Sequence, residues 1–325
     1  MFPFSQCLFY FECSSNIEPQ NPTQISEFHL IDFSEDPDLQ PILFGLFLSM
    51  YLVTVLSNLL IILAVSSDSH LHSPMYFFLS NLSLTDICFI STTIPKMIVD
   101  IPIHSRVISY VGYLMQMNFS IIFMCMDDML LTVMAYDCFM AICHPLHYVV
   151  IMNPHLCVLL ILLCVFFSFL ASQVHNFLVL QLTCFKDIKI ANFFCQPSQL
   201  LMLSCSNTLI KNTVTYFVGV MFGFLPMAGI IFSYTKIVSS ILRIPSSGGR
   251  YKAFSTCSSH LLVVCLFYGT GLAVYLSSAV SYSPSKGMVA SLMYTMVTPM
   301  LNPFIYSLRN KDFSSTLKKL HSGKV

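Results

Sequence analysis

Residues 134–148 read Met-Ala-Tyr-Asp-Cys-Phe-Met-Ala-Ile-Cys-His-Pro-Leu-His-Tyr. In this stretch an apolar segment that starts near residue 110 ends, and a polar loop begins. Asp137 stands at the junction, followed by Cys138 and Phe139. An apolar segment of this length is poorly solvated by water and is long enough to cross a bilayer.

The composition is that of a membrane protein. The chain has 325 residues, of which 56% are hydrophobic and 9% are charged, whereas a soluble domain carries about 25% charged residues. The mean hydropathy is +0.76. The net charge is zero, which argues against nucleic acid as a partner. The 13 cysteines show no metal-ligand spacing, so most are expected to be small buried hydrophobic residues.

Seven segments are long enough to cross a bilayer, which requires about 20 mostly apolar residues. The predicted spans are 41–65, 74–98, 110–142, 156–178, 212–242, 253–278 and 286–307. Backbone groups in lipid must be hydrogen-bonded within the segment, so these spans are predicted to be helices.

The distribution of charge in the loops predicts the orientation. The first 40 residues hold no Lys or Arg, and their acidic residues are Glu12, Glu18, Glu27, Asp32, Glu35, Asp36 and Asp38. The end of the chain is basic. We therefore predict an extracellular tail at 1–40, a seven-helix membrane domain at 41–307 and a cytoplasmic tail at 308–325. The apolar start of the chain is interpreted as a tail extension; a cleaved signal peptide is the alternative.

Five stretches carry a family resemblance. They are Pro74–Asp86 with Ile94-Pro95-Lys96-Met97, the stretch 134–148, the cysteines Cys184, Cys195 and Cys205, the run Lys252–Leu261, and Pro299–Asn310. Together they resemble the olfactory receptors, a family of rhodopsin-like G-protein-coupled receptors. The resemblance implies an all-α seven-transmembrane helix bundle with a short amphipathic helix after the seventh span.

The resemblance also implies a function and partners. They are a plasma-membrane receptor that binds a small hydrophobic odorant and signals through a heterotrimeric G protein of the stimulatory class, in contact with membrane lipid. No cofactor is expected. No nucleophile–base pattern surrounds the intramembrane acids, so an enzyme is not predicted. A transporter would show two matched halves with interrupted helices, and none is visible.

In the family, the stretch that corresponds to 134–148 contains Asp-Arg-Tyr where this chain has Asp137, Cys138 and Phe139. By resemblance, the Arg would pair with the Asp at rest and help to form the G-protein cavity on activation. A thiol has no permanent charge and is a weak donor. We therefore expect weak or absent coupling. The alternative is that packing around Tyr234, His260 and Tyr306 still opens the cavity less efficiently.

Polar residues inside the spans are costly and need partners. The resemblance implies a polar core of Asn58, Asp86 and Asn302 that rearranges on activation, and a sodium ion near Asp86 is a possible member of it. A purely structural hydrogen-bond cluster is the alternative. Asn302-Pro303 predicts a bend in the seventh span, as a hinge or a fixed kink. Adjacent Asp127 and Asp128 cannot share one helix face, because successive residues point about 100° apart.

The extracellular cysteines also depart from the family pattern. The family has a Cys at the outer end of the third span where this chain has Tyr113. By resemblance, Cys184 pairs with Cys205 and Cys195 is left unpaired, which is expected to loosen the loop above the pocket. Pairing of Cys195 with Cys7 or Cys13 remains open.

By resemblance, the odorant binds between spans three, five, six and seven. The predicted contacts are Met117, Ser120, Ile121, Met124, Cys125, Tyr268, Gly271, Tyr275, Leu292 and Thr295. For each of them helix packing is the alternative. Cys138, Tyr113 and the sequence Asn21-Pro22-Thr23, whose proline prevents glycosylation, favour a second hypothesis: a receptor of the same family that signals or folds poorly and is retained in the endoplasmic reticulum.

Overall fold

The computed structural model describes residues 27–30, 36–103, 105–182, 185, 187–190, 193, 195–204, 209–280 and 284–309. Among these residues, seven helices are long and apolar enough to cross a membrane. Spans one to six are Gln40–Ser67, Pro74–Ile103, Tyr110–Cys143, Pro154–Leu180, Leu209–Leu242 and Ser247–Val280. Span seven consists of Pro284–Leu292, Met293–Val297 and Thr298–Arg309. The predicted seven-helix architecture is confirmed.

Span seven is irregular around Pro299 and Pro303 and in the turn that precedes them. Met293–Val297 is a single turn of π-helix, and the Thr298 hydroxyl donates to the Met293 carbonyl oxygen at 3.2 Å. Pro303 has no N–H, so the carbonyl of Pro299, four residues earlier, lacks its usual helical donor. Proline and a π-turn are the known causes of local irregularity in helices.

A three-stranded sheet, which the sequence did not predict, lies beside the outer end of span three. Strand β1 (Glu27–Leu30) is central. It pairs antiparallel with β2 (Val107–Ser109), which leads directly into span three. It pairs parallel with β3 (Lys189–Ile190), which belongs to the loop between spans four and five. The tail before span one thus ties that loop to span three.

Between the spans, the described residues also form a 3-10 turn at Ser69–Leu71 and two short α-helices. Tyr148–Ile151 follows the inner end of span three, and Pro197–Leu203, called here the loop helix, precedes span five. The loop helix buries Leu200 and Leu201.

The outer faces of spans one, four and five are apolar and exposed. Leu56, Leu162 and Phe217, for example, are 59%, 60% and 63% exposed. Large apolar surfaces of this kind are typical of contact with lipid tails, so the bundle presents a lipid-facing surface.

Some predicted features lie outside the described residues. They are the first 26 residues with Asn21, the cysteines Cys184 and Cys205, and the predicted amphipathic helix after span seven.

Candidate functional site

The inner end of span three holds Asp137, which is 2% exposed. Its Oδ1 atom accepts a hydrogen bond from the Tyr148 hydroxyl at 2.8 Å. Burial raises the pKa of Tyr148, and the nearby Asp137 raises it further, so this hydroxyl remains a donor. Tyr148 was not among the predicted switch residues, although it ends the stretch that identified them. The carboxylate therefore has a neutral partner from the inner loop.

Cys138 lies in an apolar environment. It is buried in a cluster with Ile237 and Ile241 of span five and Cys257 of span six. No charge enters the space between spans three, five and six from this position. The side chain that replaces the family's Arg is thus part of the packing between the spans.

Tyr234 and His260 connect the same three spans. The Tyr234 hydroxyl lies 2.7 Å from His260 Nδ1 and also donates to the Cys257 carbonyl at 3.2 Å. On its other side, His260 Nε2 lies 3.0 Å from the Leu131 carbonyl oxygen of span three. The rings of Tyr234 and His260 are stacked. This network holds the inner half of span six against span three.

The other predicted switch residues are distributed around this network. Phe139 packs its ring edge-on against His144, with centroids 5.4 Å apart. Tyr306 is buried in the inner core, and its hydroxyl has no hydrogen-bond partner. An unsatisfied hydroxyl at this depth is costly, which makes Tyr306 a candidate for movement.

The three residues of the predicted polar core form two separate contacts. Asn302 Nδ2 donates to both oxygens of Asp86, at 3.0 and 3.3 Å. Asn58 instead donates to the carbonyl of Pro299 at 3.2 Å. This is the carbonyl that Pro303 leaves without a helical donor, so Asn58 satisfies the backbone defect that the proline creates.

A small cavity of about 10 Å³ lies next to Asp86 and is lined also by Asp127, Asn302 and Tyr294. A cavity of this size is at the lower limit of what can hold one water molecule. Oδ1 of Asp127 and Oδ1 of Asn302 are buried without a hydrogen-bond partner. Two carboxylates on one small cavity repel each other unless they share a proton or a cation lies between them. Oxygen ligands of this kind fit a sodium ion.

Asp128 points elsewhere, as the helix geometry predicts. It accepts a hydrogen bond from the Tyr268 hydroxyl of span six. Tyr268 was predicted to contact the odorant, and the structure shows that its hydroxyl is engaged by Asp128. Of the two adjacent acids, Asp128 is therefore held by span six.

The structure brings three of the predicted pocket residues together. Met117, Ile121 and Cys125 are buried in one cluster with Leu200 and Leu201 of the loop helix. Phe222 of span five packs against the same cluster. These last three residues were not predicted, because only the fold brings the loop helix and span five to this face of span three.

The remaining predicted contacts lie around other neighbours. Ser120 shares a hydrogen bond with Thr92 of span two at 3.2 Å, and Thr295 donates within its own helix to Ser291. Met124 and Leu292 pack with spans one, two and seven. A Cβ atom on Gly271 would be 3.6 Å from the ring of Tyr294. Tyr275 is 43% exposed.

Cys195 is buried, 1% exposed, and its thiol is free. Burial raises the pKa of this thiol, and the charge of Lys96 opposes that effect.

Comparison with known proteins gives consistent matches along the chain. The profile of the family described as olfactory receptor matches residues 47–324. Olfactory receptor 7E24 of Homo sapiens is 70% identical over 324 residues, covering 100% of this chain and 95% of that receptor. Olfactory receptor 7E178 of Mus musculus is 70% identical, covering 95% of this chain and 93% of that receptor. Olfactory receptor 7D4 of Homo sapiens is 62% identical, covering 94% and 98%.

Proposed function

This chain belongs to the olfactory receptor family, whose members are multi-pass plasma-membrane receptors for odorants, and we propose that it binds a small, weakly polar odorant and couples only weakly to a stimulatory G protein. Residues 1–40 are assigned to the outside of the cell, 41–307 to the membrane and 308–325 to the cytosol. The buried, uncharged position of Cys138 carries the proposal of weak coupling.

The ligand class follows from the cluster around Met117, Ile121 and Cys125. Its side chains are apolar, and those of Leu200 and Leu201 cover it from the loop helix. A charged amine would need an acid partner at this depth. Asp128, the acid one helical turn beyond Cys125 on this side of span three, is already held by Tyr268. A neutral molecule is therefore favoured over an amine.

Coupling to a G protein requires that the activated receptor opens a cavity between spans three, five and six. In this chain the thiols of Cys138 and Cys257 pack together there with Ile237 and Ile241. The contacts that keep the cavity closed remain, while the cation that would stabilise the open form is missing.

The test of coupling is cyclic AMP output in cells that express a stimulatory Gα subunit. We expect Cys138→Arg to raise both basal output and output during a screen of neutral odorants, at matched surface density. Cys138→Ala is the control, since it removes the thiol without adding charge, and its output should stay low. Equal output from wild type and Cys138→Arg would contradict weak coupling.

The test of the pocket uses whichever neutral odorant activates the receptor or its Cys138→Arg form. Ile121→Ala should change the concentration for half-maximal response while surface display stays near wild type. Leu130→Ala, at a fully buried position of the inner core, should lower surface display instead. If Ile121→Ala behaved as Leu130→Ala does, Ile121 would be a packing residue only.

We also propose that sodium binds beside Asp86. Asp86, Asp127 and Asn302 would hold the ion, whose single positive charge would reduce the repulsion between the two carboxylates and so favour the resting arrangement of spans two, three and seven. The unpartnered oxygens of Asp127 and Asn302 support this assignment.

A further inference from the structure

Tyr113 occupies the position at which the loss of a cysteine suggested a loose extracellular loop. Its side chain is fully buried, and its hydroxyl reaches Gln196, the residue that follows Cys195. The hydroxyl donates to the Gln196 carbonyl at 2.9 Å and accepts from the Gln196 N–H at 3.0 Å. One phenol thus satisfies both backbone groups of a single loop residue.

The ring of Tyr113 is held in place by the tail before span one. Phe28 of strand β1 is fully buried, and its ring centroid lies 5.6 Å from that of Tyr113 and 5.5 Å from that of Phe185. Strand β1 is also hydrogen-bonded on both sides: His29 N donates to the Ile188 carbonyl and Leu30 N to the Arg106 carbonyl, each at 2.8 Å. The loop therefore has two attachments to span three, the phenol and the sheet.

We propose that Tyr113 is a positioning residue that replaces the missing disulfide, by clasping the loop between spans four and five to span three through the backbone of Gln196. The contact, called here the Tyr113–Gln196 clasp, needs no oxidation and leaves Cys195 as a free thiol. The loop helix that starts at Pro197 covers the pocket cluster, so the clasp also sets the position of that cover. This inference does not depend on whether the receptor couples to a G protein.

A clasp of hydrogen bonds differs from a disulfide in that it can open and close. Removal of the hydroxyl leaves two backbone groups of Gln196 without their partner, which should increase opening of the loop about tenfold. Cys195 reports the opening directly, because only the thiolate is alkylated and burial keeps the closed thiol protonated.

The experiment measures alkylation by iodoacetamide on the purified full chain in detergent micelles, with each cysteine followed by mass spectrometry. We expect Tyr113→Phe to speed labelling of Cys195 about tenfold. The matched control is Tyr110→Phe, because Tyr110 packs on the same Phe28 ring but takes no part in the clasp. Cys164, buried in span four, should stay protected in both variants. Labelling of Cys195 at the wild-type rate in Tyr113→Phe would overturn the proposal.

A measurement on the wild type keeps the test valid if Tyr113→Phe does not fold. Hydrogen exchange of the Gln196 amide should be slow, because that amide donates to Tyr113. Pro197 has no amide, so the difference in deuterium content between two fragments with the same upstream start, one ending at Cys195 and one at Pro197, reports Gln196 alone. Exchange at the rate of an unprotected amide, or recovery of Cys195 in a disulfide-linked peptide, would show that the loop is held in another way.

Discussion

From the contact between Asn58 and span seven we can predict how much stability a substitution of Asn58 removes. Asn58 is fully buried and donates to the Pro299 carbonyl at 3.2 Å, which Pro303 has deprived of its helical donor. Asn58→Leu keeps the volume but removes this donor. Hydrogen bonds between membrane helices contribute about 0.6 kcal/mol on average and up to about 1.7. An unsatisfied buried carbonyl costs about 1–3 kcal/mol.

The expected loss of stability is therefore about 2 kcal/mol, which for a domain of this size corresponds to about 4–8 °C in melting temperature. The assay is thermal unfolding in detergent, followed with a dye that fluoresces on reaction with the buried cysteines as they become exposed. Ser57→Ala is the matched control: it removes a hydrogen bond within span one only and should shift melting by no more than about 1 °C. If Asn58→Leu and Ser57→Ala had the same melting temperature, the hydrogen bond from Asn58 to the Pro299 carbonyl would not stabilise the bundle.

Three further predictions concern other contacts of the bundle. Tyr148→Phe leaves buried Asp137 without its donor, so surface display measured by flow cytometry should fall, and an unchanged signal would exclude a stabilising role. Tyr268→Phe and Asp128→Asn should each lower the melting temperature, and the double variant should lose less than their sum; strict additivity would mean that the two side chains do not interact. Replacement of choline by sodium should raise the melting temperature of the wild type, whereas Asp127→Asn should abolish this difference, and a difference that persists would place the ion elsewhere.

The seven spans were predictable because the bilayer imposes a simple requirement on length and composition. The clearest discrepancy is the start of span six, predicted at 253 and observed at Ser247. Arg250 and Lys252 lower the hydropathy of this part, but a helix continues readily beyond the membrane, where water solvates such side chains. Hydropathy finds the lipid-crossing part of a helix and not its end.

The sheet could not be predicted in the same way. Its strands have two to four residues each, which is too short for an alternating pattern to be recognised. Their hydrogen bonds join segments from three distant parts of the chain. Only the folded bundle brings those segments together.

Within the site, the predictable contacts are those between polar side chains that must find a hydrogen-bond partner inside the membrane. Asp86 and Asn302 make direct contact, as the resemblance implied. The roles of Tyr148 and Tyr113 were both missed. The sequence shows that Tyr113 departs from the family pattern, but it does not show the partner of Tyr113. That partner is the backbone of Gln196, and backbone groups are not specific to a residue type.

The central claim is that the receptor scaffold is intact while its G-protein switch lacks a charge at Cys138. The most direct test is nucleotide exchange on a purified stimulatory G protein, with wild type and Cys138→Arg reconstituted at equal density in lipid nanodiscs. We expect both proteins to be folded, with Tyr113 holding the loop, and only Cys138→Arg to accelerate exchange clearly above the rate without receptor. Equal acceleration by wild type would contradict the claim.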